Sequence, residues 1–156
     1  MENNHISYGL NIEDPHHHQL SVTIDMHWPK GKNTLDFFMP SWSPGSYLMR
    51  EYARFVRHLS ATDEEGLVYF FYQLDKGTWR VIKGEKGYSN GKKVIFSYQV
   101  YCHELTVRTS HIDRNHAFIH GPSVFMGVHG EIEKPVLLNL NFPINWTKVS
   151  TGLQDV

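Results

Sequence analysis

The stretch Leu20-Ser21-Val22-Thr23-Ile24-Asp25-Met26 decides the fold class, because apolar and polar side chains alternate along its whole length. Successive side chains of a β-strand point to opposite faces, so this alternation predicts a strand with one face in a core and the other in solvent. Other segments alternate in the same way or are rich in β-branched and aromatic residues, and these also predict strands. They are residues 6–12, 35–39, 67–74, 78–82, 94–101, 117–119, 124–128, 136–142 and 146–149.

Frequent glycine and proline turns separate these segments, and the combination predicts an all-β sandwich of about nine to ten mostly antiparallel strands. The run 67–74 is dense in aromatic residues, which predicts a strand buried on both faces. We expect residues 106–109 to continue the strand at 94–101. The chain has 156 residues, a length that suits one domain covering residues 1–156.

Composition and charge exclude several classes of function. Fifteen Lys and Arg balance sixteen Asp and Glu, and no long basic run occurs, so we expect neither a nucleic acid nor a membrane as a partner. No signal peptide is visible, which favours the cytoplasm. The sequence stops at Val156 without a terminal helix or polar tail, so we expect a piece cut from a longer protein.

Residues 39–52, MPSWSPGSYLMREY, depart from the strand pattern. Two prolines fix their own φ angles and Pro44-Gly45 is typical of a tight turn, so the segment predicts a rigid reversal of the chain. The simplest interpretation is a structural corner that Trp42 covers. Apolar residues then recur at intervals of four, three and four, which predicts one short helix or turn near residues 47–56. These apolar residues are Leu48, Tyr52, Phe55 and Leu59.

Histidine pairs raise the question of a metal site, since imidazole is a common zinc ligand. On a strand, His16 and His18 would share a face, but no third ligand of predictable spacing accompanies them. His116 and His120 have the spacing of the zincin motif His-Glu-x-x-His, but Ala117 replaces the glutamate and a Gly-Pro pair follows at once. We therefore assign no metal ligand in this chain.

No other part of the sequence forms a convincing catalytic constellation. Cys102 and His103 are neighbours, and adjacent strand residues point to opposite faces, so they should not meet as nucleophile and base. A phosphate-binding glycine loop and a serine nucleophile elbow are both missing. We therefore predict no catalytic residue.

The 39–52 stretch closely resembles a motif of a known family. Residues 40–54 read PSWSPGSYLMREYAR and match P-x-W-x-P-G-S-Y-x-x-R-E-[FY]-[AS]-R. This motif belongs to the N-terminal domain of the glycyl aminopeptidase family of zinc metallopeptidases. Further segments resemble the family in the same order, so the resemblance covers nearly the whole chain. They are residues 76–81, 98–101 with 105–109, and 146–153.

The resemblance implies a parent protein with three parts: this β-rich N-terminal domain, a helical catalytic domain that carries His-Glu-x-x-His, and a PDZ domain. The implied partners are those two domains of the same polypeptide and, through the parent, a peptide substrate. Zinc would belong to the missing catalytic domain, so we expect no cofactor and no peptidase activity in this chain alone. One departure is the segment 118–123, FIHGPS, where we expect Phe-x-Asn-Gly-Thr-Ser.

The resemblance also implies a site. Distantly similar aminopeptidases use their N-terminal β domain to wall the active-site cleft and to bind the free amine of the substrate through an acidic or amide side chain. By this analogy Glu51 is a candidate for the amine, and Arg50 for the peptide or the domain interface. A structural alternative is an Arg50–Glu51 ion pair that holds the turn. The candidate residues for substrate binding or the domain interface are Trp42, Ser46, Tyr47, Arg50, Glu51 and Tyr52.

Two other functions fit the sequence. One is an independent β-sandwich module that binds carbohydrate or peptide, with Trp42, Tyr47 and Trp79 as an exposed aromatic platform. The other is a stand-alone metal-dependent hydrolase that uses the histidine clusters. A native reading frame several hundred residues longer, with a helical His-Glu-x-x-His, would favour the aminopeptidase parent over both.

Overall fold

A computed structural model describes residues 5–155, in which short strands form two facing sheets and a small ribbon. Short 3₁₀ turns lie between some of them, at Pro15–His17, Tyr52–Phe55 and Gly121–Ser123. The strands are β1 (Ile6–Asn11), β2 (Gln19–His27), β3 (Thr34–Phe38), β4 (Val56–Thr62), β5 (Phe70–Asp75), β6 (Thr78–Ile82), β7 (Lys93–Tyr101), β8 (His111–Ile112), β9 (Ala117–Phe118), β10 (Gly127–Val128) and β11 (Val136–Asn141).

The larger sheet has the strand order β11-β1-β2-β7-β4, and the smaller sheet has the order β10-β3-β6-β5. Strands β8 and β9 pair separately as the ribbon. Paired strands run antiparallel except β1 and β11, which are parallel. The predicted all-β sandwich of mostly antiparallel strands is confirmed, with eleven strands in residues 5–155 rather than nine or ten.

The core lies between the two sheets and consists of the inward side chains of the alternating strands. Along β2 and β7 every second residue is buried, as the alternation of residues 20–26 predicts for β2. Phe37 of the smaller sheet stacks on Phe96 of the larger one, with ring centroids 4.2 Å apart. Both side chains are fully buried, and burying a phenylalanine stabilises a fold by about 1.5–3 kcal/mol. This aromatic pair therefore joins the two sheets.

Two buried tyrosines of the larger sheet form hydrogen bonds with the backbone of the irregular segment 124–126. The hydroxyl of Tyr98 donates to the carbonyl of Val124 at 2.8 Å and accepts from the amide of Met126 at 2.9 Å. The hydroxyl of Tyr8 donates to the carbonyl of Met126 at 2.8 Å. Burial raises the pKa of Tyr8 to about 12, so its hydroxyl keeps the proton that it donates. The backbone of the segment is thus satisfied inside the core without a ladder of strand hydrogen bonds.

The predicted short helix or turn near residues 47–56 is a single 3₁₀ turn, and the helix that the apolar spacing extended to Leu59 is wrong. Tyr52–Phe55 forms the turn, and the chain then enters β4, which includes Leu59. The pairing of β4 shifts register between Arg57 and Ser60, where His58 has a φ of 51°. This bulge breaks the alternation expected of a strand, so the apolar spacing resembled that of a helix.

Four other strand predictions differ from the structure. Of residues 124–128, only Gly127–Val128 form a strand, β10. The run 67–74 contributes to β5, an edge strand of the smaller sheet that is mostly exposed, so it is not buried on both faces. Residues 106–109 form bends and turns, and residues 146–149 are irregular. Within residues 5–155, none of the helical segments has the length and apolar character required to cross a lipid bilayer.

Candidate functional site

The segment 40–51, here called the 40–51 loop, joins β3 to the 3₁₀ turn before β4 and is held by its own hydrogen bonds. The indole Nε1 of Trp42 donates to the carbonyl of Ser46 at 2.8 Å. The hydroxyl of Ser46 donates to the carbonyl of Leu48 at 2.9 Å and accepts from Nε of Arg50 at 3.2 Å. Trp42, Ser46 and Arg50 therefore form the framework that gives the loop its shape.

The tip of the 40–51 loop exposes three consecutive apolar side chains. Tyr47 is 98% exposed, and Leu48 and Met49 are 62% and 67% exposed. Gly45 precedes them with a φ of +86°, a conformation that glycine adopts at no steric cost. Contiguous exposed apolar groups are a common feature of interaction surfaces.

A groove of about 1000 Å³ opens between the 40–51 loop and the turn that joins β5 to β6. Three of the six candidate residues line this groove and the other three do not. The candidates in the lining are Trp42, Glu51 and Tyr52, and those outside it are Ser46, Tyr47 and Arg50. In the structure, three of the candidates therefore line the groove, and the other three lie outside its lining.

Glu51 occupies an unusual position on the groove wall. Its φ is 46°, in the left-handed region that residues other than glycine seldom adopt. Its carboxylate lies 3.4 Å from the ammonium of Lys76, and the two side chains are 63% and 92% exposed. Within residues 5–155 Arg50 makes no ion pair with Glu51, so the predicted Arg50–Glu51 pair is wrong. The guanidinium of Arg50 contacts Ser46 instead.

A second carboxylate, that of Asp75, lies on the opposite wall of the groove. It accepts a hydrogen bond from the amide of Gly77 at 2.8 Å. That bond, together with one from the hydroxyl of Thr78, lowers the pKa of Asp75, so the group is ionised at neutral pH. His129 also lines the groove and stacks on Phe38 with ring centroids 4.2 Å apart. The groove therefore offers two carboxylates and a nearby imidazole to a ligand.

Tyr52 and Trp79 are buried side chains. Tyr52 is 1% exposed, its hydroxyl donates to the carbonyl of Arg108 at 2.8 Å, and its ring packs 5.8 Å from that of His120. Burial also lowers the pKa of His120. Trp79 belongs to the core and is 6% exposed. The predicted exposed platform that included Trp79 is therefore wrong, and Tyr52 anchors the end of the loop.

The two histidine pairs found in the sequence share neither a strand nor a helix, and the cysteine is buried. His116 and His120 flank β9 rather than sharing a helix, so they do not fit a His-Glu-x-x-His zinc centre. His16 lies in a 3₁₀ turn, not on a strand with His18. Cys102 is buried, and burial raises the pKa of its thiol to about 12, which leaves it unreactive at neutral pH.

The structure instead brings His111, Asp113 and His116 together, with one ligand-type atom from each within 4.8 Å of the others. The sequence signal for this cluster is His-x-Asp-x-x-His at 111–116. Neither a common strand face nor one helix turn brings these three positions together, so the pattern does not by itself predict a site. The three side chains meet because the chain reverses between β8 and β9.

Comparison with known proteins places the chain in a family. A model of the peptidase M61 N-terminal domain matches residues 7–156. The crystal structure of an aminopeptidase N family protein from Idiomarina loihiensis is similar, with a TM-score of 0.79, 27% sequence identity and 89% of the present chain covered. The present chain spans only 22% of the length of that protein. A search of curated proteins found no match. The chain belongs to the peptidase M61 N-terminal domain family, which confirms the resemblance found in its sequence.

Proposed function

We propose that this chain is the non-catalytic N-terminal β domain of a larger M61 zinc aminopeptidase, and that it packs on the catalytic domain and shapes the substrate cleft. Its family membership and its likeness to part of an aminopeptidase N family protein support this proposal. The catalytic zinc and the PDZ domain implied by the sequence resemblance would lie elsewhere in that polypeptide. The poor fit of His116 and His120 to a zincin centre supports placing hydrolysis in another domain.

The observation that carries the proposal is the rigid frame and apolar tip of the 40–51 loop. Hydrogen bonds from Trp42 and Arg50 to Ser46 order the loop before any partner arrives. A pre-ordered loop loses little conformational entropy on docking. Each Å² of apolar surface that the tip buries against another domain would stabilise the contact by about 25 cal/mol. The loop therefore suits a permanent interface within one polypeptide.

Glu51 is our candidate for the group that binds the free amine of a peptide. Its carboxylate is exposed in the groove and already lies 3.4 Å from an ammonium, that of Lys76. The α-ammonium of a peptide carries the same charge and the same three hydrogen-bond donors, so it could take the place of Lys76. Exposed ion pairs contribute only about 0–1 kcal/mol, so displacing Lys76 would cost little.

The substitution Glu51→Gln in the full-length peptidase tests the amine-binding role. We expect KM for peptides with a free N-terminus to rise about tenfold while kcat changes less, because the amine contact is lost in the bound substrate and the transition state alike. Lys76→Ala should lower KM, since it frees the carboxylate. Glu85→Gln, at an exposed turn away from the groove, is the matched control and should leave KM unchanged.

An unchanged KM in Glu51→Gln would contradict the amine-binding role but not the assignment of the domain. Peptidase activity in the purified 156-residue chain would contradict the assignment of hydrolysis to another domain. The two results are therefore separable.

A further inference from the structure

The ribbon of β8 and β9 carries a compact group of metal-ligand side chains that the proposed function does not use. Nε2 of His111 lies 3.3 Å from Oδ2 of Asp113, and Nδ1 of His116 lies 3.2 Å from Oδ1 of the same carboxylate. His111 is on β8, whereas Asp113 and His116 belong to the turn that leads into β9. Two imidazoles thus face one carboxylate across a single tight turn.

These separations match the edge lengths of a metal coordination shell. In a tetrahedral zinc site with bonds of about 2.0–2.2 Å, neighbouring ligand atoms lie about 3.3–3.6 Å apart. The two nitrogen–oxygen distances are at or just below that range, and the three ligand-type atoms all lie within 4.8 Å of one another. A small movement of side chains would therefore suffice to admit an ion between them.

The carboxylate is held in place before any ion arrives. Oδ1 of Asp113 accepts hydrogen bonds from the backbone amides of Asn115 at 2.8 Å and His116 at 3.1 Å. These two bonds fix the orientation of the carboxylate in the turn. Oδ2 faces His111. Hydrogen bonds that orient a ligating carboxylate are a common support for metal affinity.

Exposure is graded across the group. The side chain of His111 is 13% exposed, that of Asp113 is 33% exposed and that of His116 is 52% exposed. An ion could therefore enter from the His116 side and meet a half-buried ligand set. Imidazole and carboxylate together suit zinc and its neighbours, whereas magnesium and calcium prefer oxygen ligands alone.

We propose that His111, Asp113 and His116 bind one divalent transition-metal ion of the zinc class, which clips β8 to the turn before β9. With three protein ligands, water would complete a tetrahedral shell. The role proposed for the ion is structural, because it would tie down a ribbon of only two residue pairs that is not part of the lining of the groove beside the 40–51 loop. This inference goes beyond the proposed function and does not depend on it.

The chain contains a matched control for this site. His17 lies three residues after Asp14, just as His116 lies three residues after Asp113, and its Nδ1 is 3.6 Å from the carboxylate of Asp14. His17 is also exposed, at 73%. A substitution of either His17 or His116 should leave the fold intact. Among the described residues, the Asp113–His116 pair has a third ligand-type side chain beside it, that of His111, whereas the Asp14–His17 pair is not part of such a group.

Zinc chloride titrated into the untagged 156-residue chain, followed by calorimetry, tests the proposal. We expect one ion per chain, an affinity at least about tenfold weaker in His116→Ala and in Asp113→Asn, and no change in His17→Ala. NMR signals of the rings of His111 and His116 should shift at one equivalent. Absence of stoichiometric zinc binding would overturn the proposal. So would an equal loss in His17→Ala, because binding would then reflect the exposed histidine run at 16–18.

Discussion

The sandwich interior and the 40–51 loop contain the same kinds of residue with opposite exposure. Tyr98 in β7 is 1% exposed, whereas Tyr47 at the loop tip is 98% exposed. In the interior, apolar groups pack on one another across two sheets and buried hydroxyls find backbone partners. In the loop, hydrogen bonds fix the backbone shape while Leu48 and Met49 face outward.

The buried side chains of the interior therefore stabilise the domain, whereas the exposed side chains of the 40–51 loop are available to a partner. A buried aromatic residue stabilises the fold because water is removed from it on folding. A side chain that stays in solvent contributes little to the free energy of folding. Its apolar surface can still contribute to the free energy of binding if an interface buries it. Stability and interaction should therefore respond to different substitutions, and four measurements test whether they do.

The largest effect on stability is expected at the junction of the two sheets. Phe96→Ala removes the ring that stacks on Phe37 at 4.2 Å, and it should lower the free energy of unfolding by about 3–5 kcal/mol, since lost burial and a new cavity add together. Leu48→Ala, at the loop tip, should change it by less than about 0.5 kcal/mol. Urea unfolding of both variants measures the contrast, and similar losses would contradict it.

The next largest effect on stability is expected at Tyr98, whose buried hydroxyl forms hydrogen bonds with the irregular segment 124–126. Tyr98→Phe leaves the carbonyl of Val124 and the amide of Met126 without a partner that Tyr98 now supplies. We expect a loss of about 1–3 kcal/mol in the free energy of unfolding, the usual cost of a buried unsatisfied polar group. Tyr47→Phe deletes an exposed hydroxyl and serves as the control. Equal stability of the two variants would argue against this effect of the Tyr98 hydroxyl.

A smaller, pH-dependent effect is expected on the outer face of the smaller sheet. Arg80 donates from Nε and Nη2 to the two oxygens of Asp36, each at 2.7 Å, and this hydrogen bonding lowers the pKa of Asp36. A lowered pKa in the fold contributes stability that is present above the unfolded value of about 3.9 and is lost as pH falls through the folded value.

Asp36→Asn should therefore lower the free energy of unfolding by about 1 kcal/mol at pH 7. The difference from the parent chain should shrink as pH falls below about 3.9. Thermal unfolding of both proteins across the acid range measures it. A difference that stays constant with pH would show that the ion pair is not its cause.

The regular part of the fold could be predicted from the sequence because it follows a local rule. Residues 20–26 alternate strictly, residues 94–101 are rich in β-branched and aromatic side chains, and both β2 and β7 bury every second side chain. The sequence does not predict strand β4, because the bulge at His58 disrupts the alternation of buried and exposed side chains. Local pattern also says nothing about which strands become edges, which is why β5 was expected to be buried.

The candidate site could be predicted only in part. The motif at 40–54 located the loop, but the partner of Glu51 is Lys76, 25 residues later, and only the folded sheet brings the two together. Tyr52 and Trp79 looked suitable for binding because aromatic residues occur in both cores and sites, and burial alone distinguishes the two roles. The cluster of His111, Asp113 and His116 required knowledge of the turn between β8 and β9.

We propose that another domain of the same polypeptide covers the 40–51 loop, and thiol labelling of Tyr47→Cys measures that cover. In the 156-residue chain the one native cysteine, Cys102, is buried, so the introduced cysteine supplies the reactive thiol. In the full-length peptidase, labelling is read on the peptide that contains residue 47. We expect a maleimide to react with Tyr47→Cys at least about tenfold more slowly in the full-length peptidase than in the 156-residue chain. Lys86→Cys, at an exposed turn, should react equally fast in both. Equal reactivity of Tyr47→Cys in the two proteins would contradict the account.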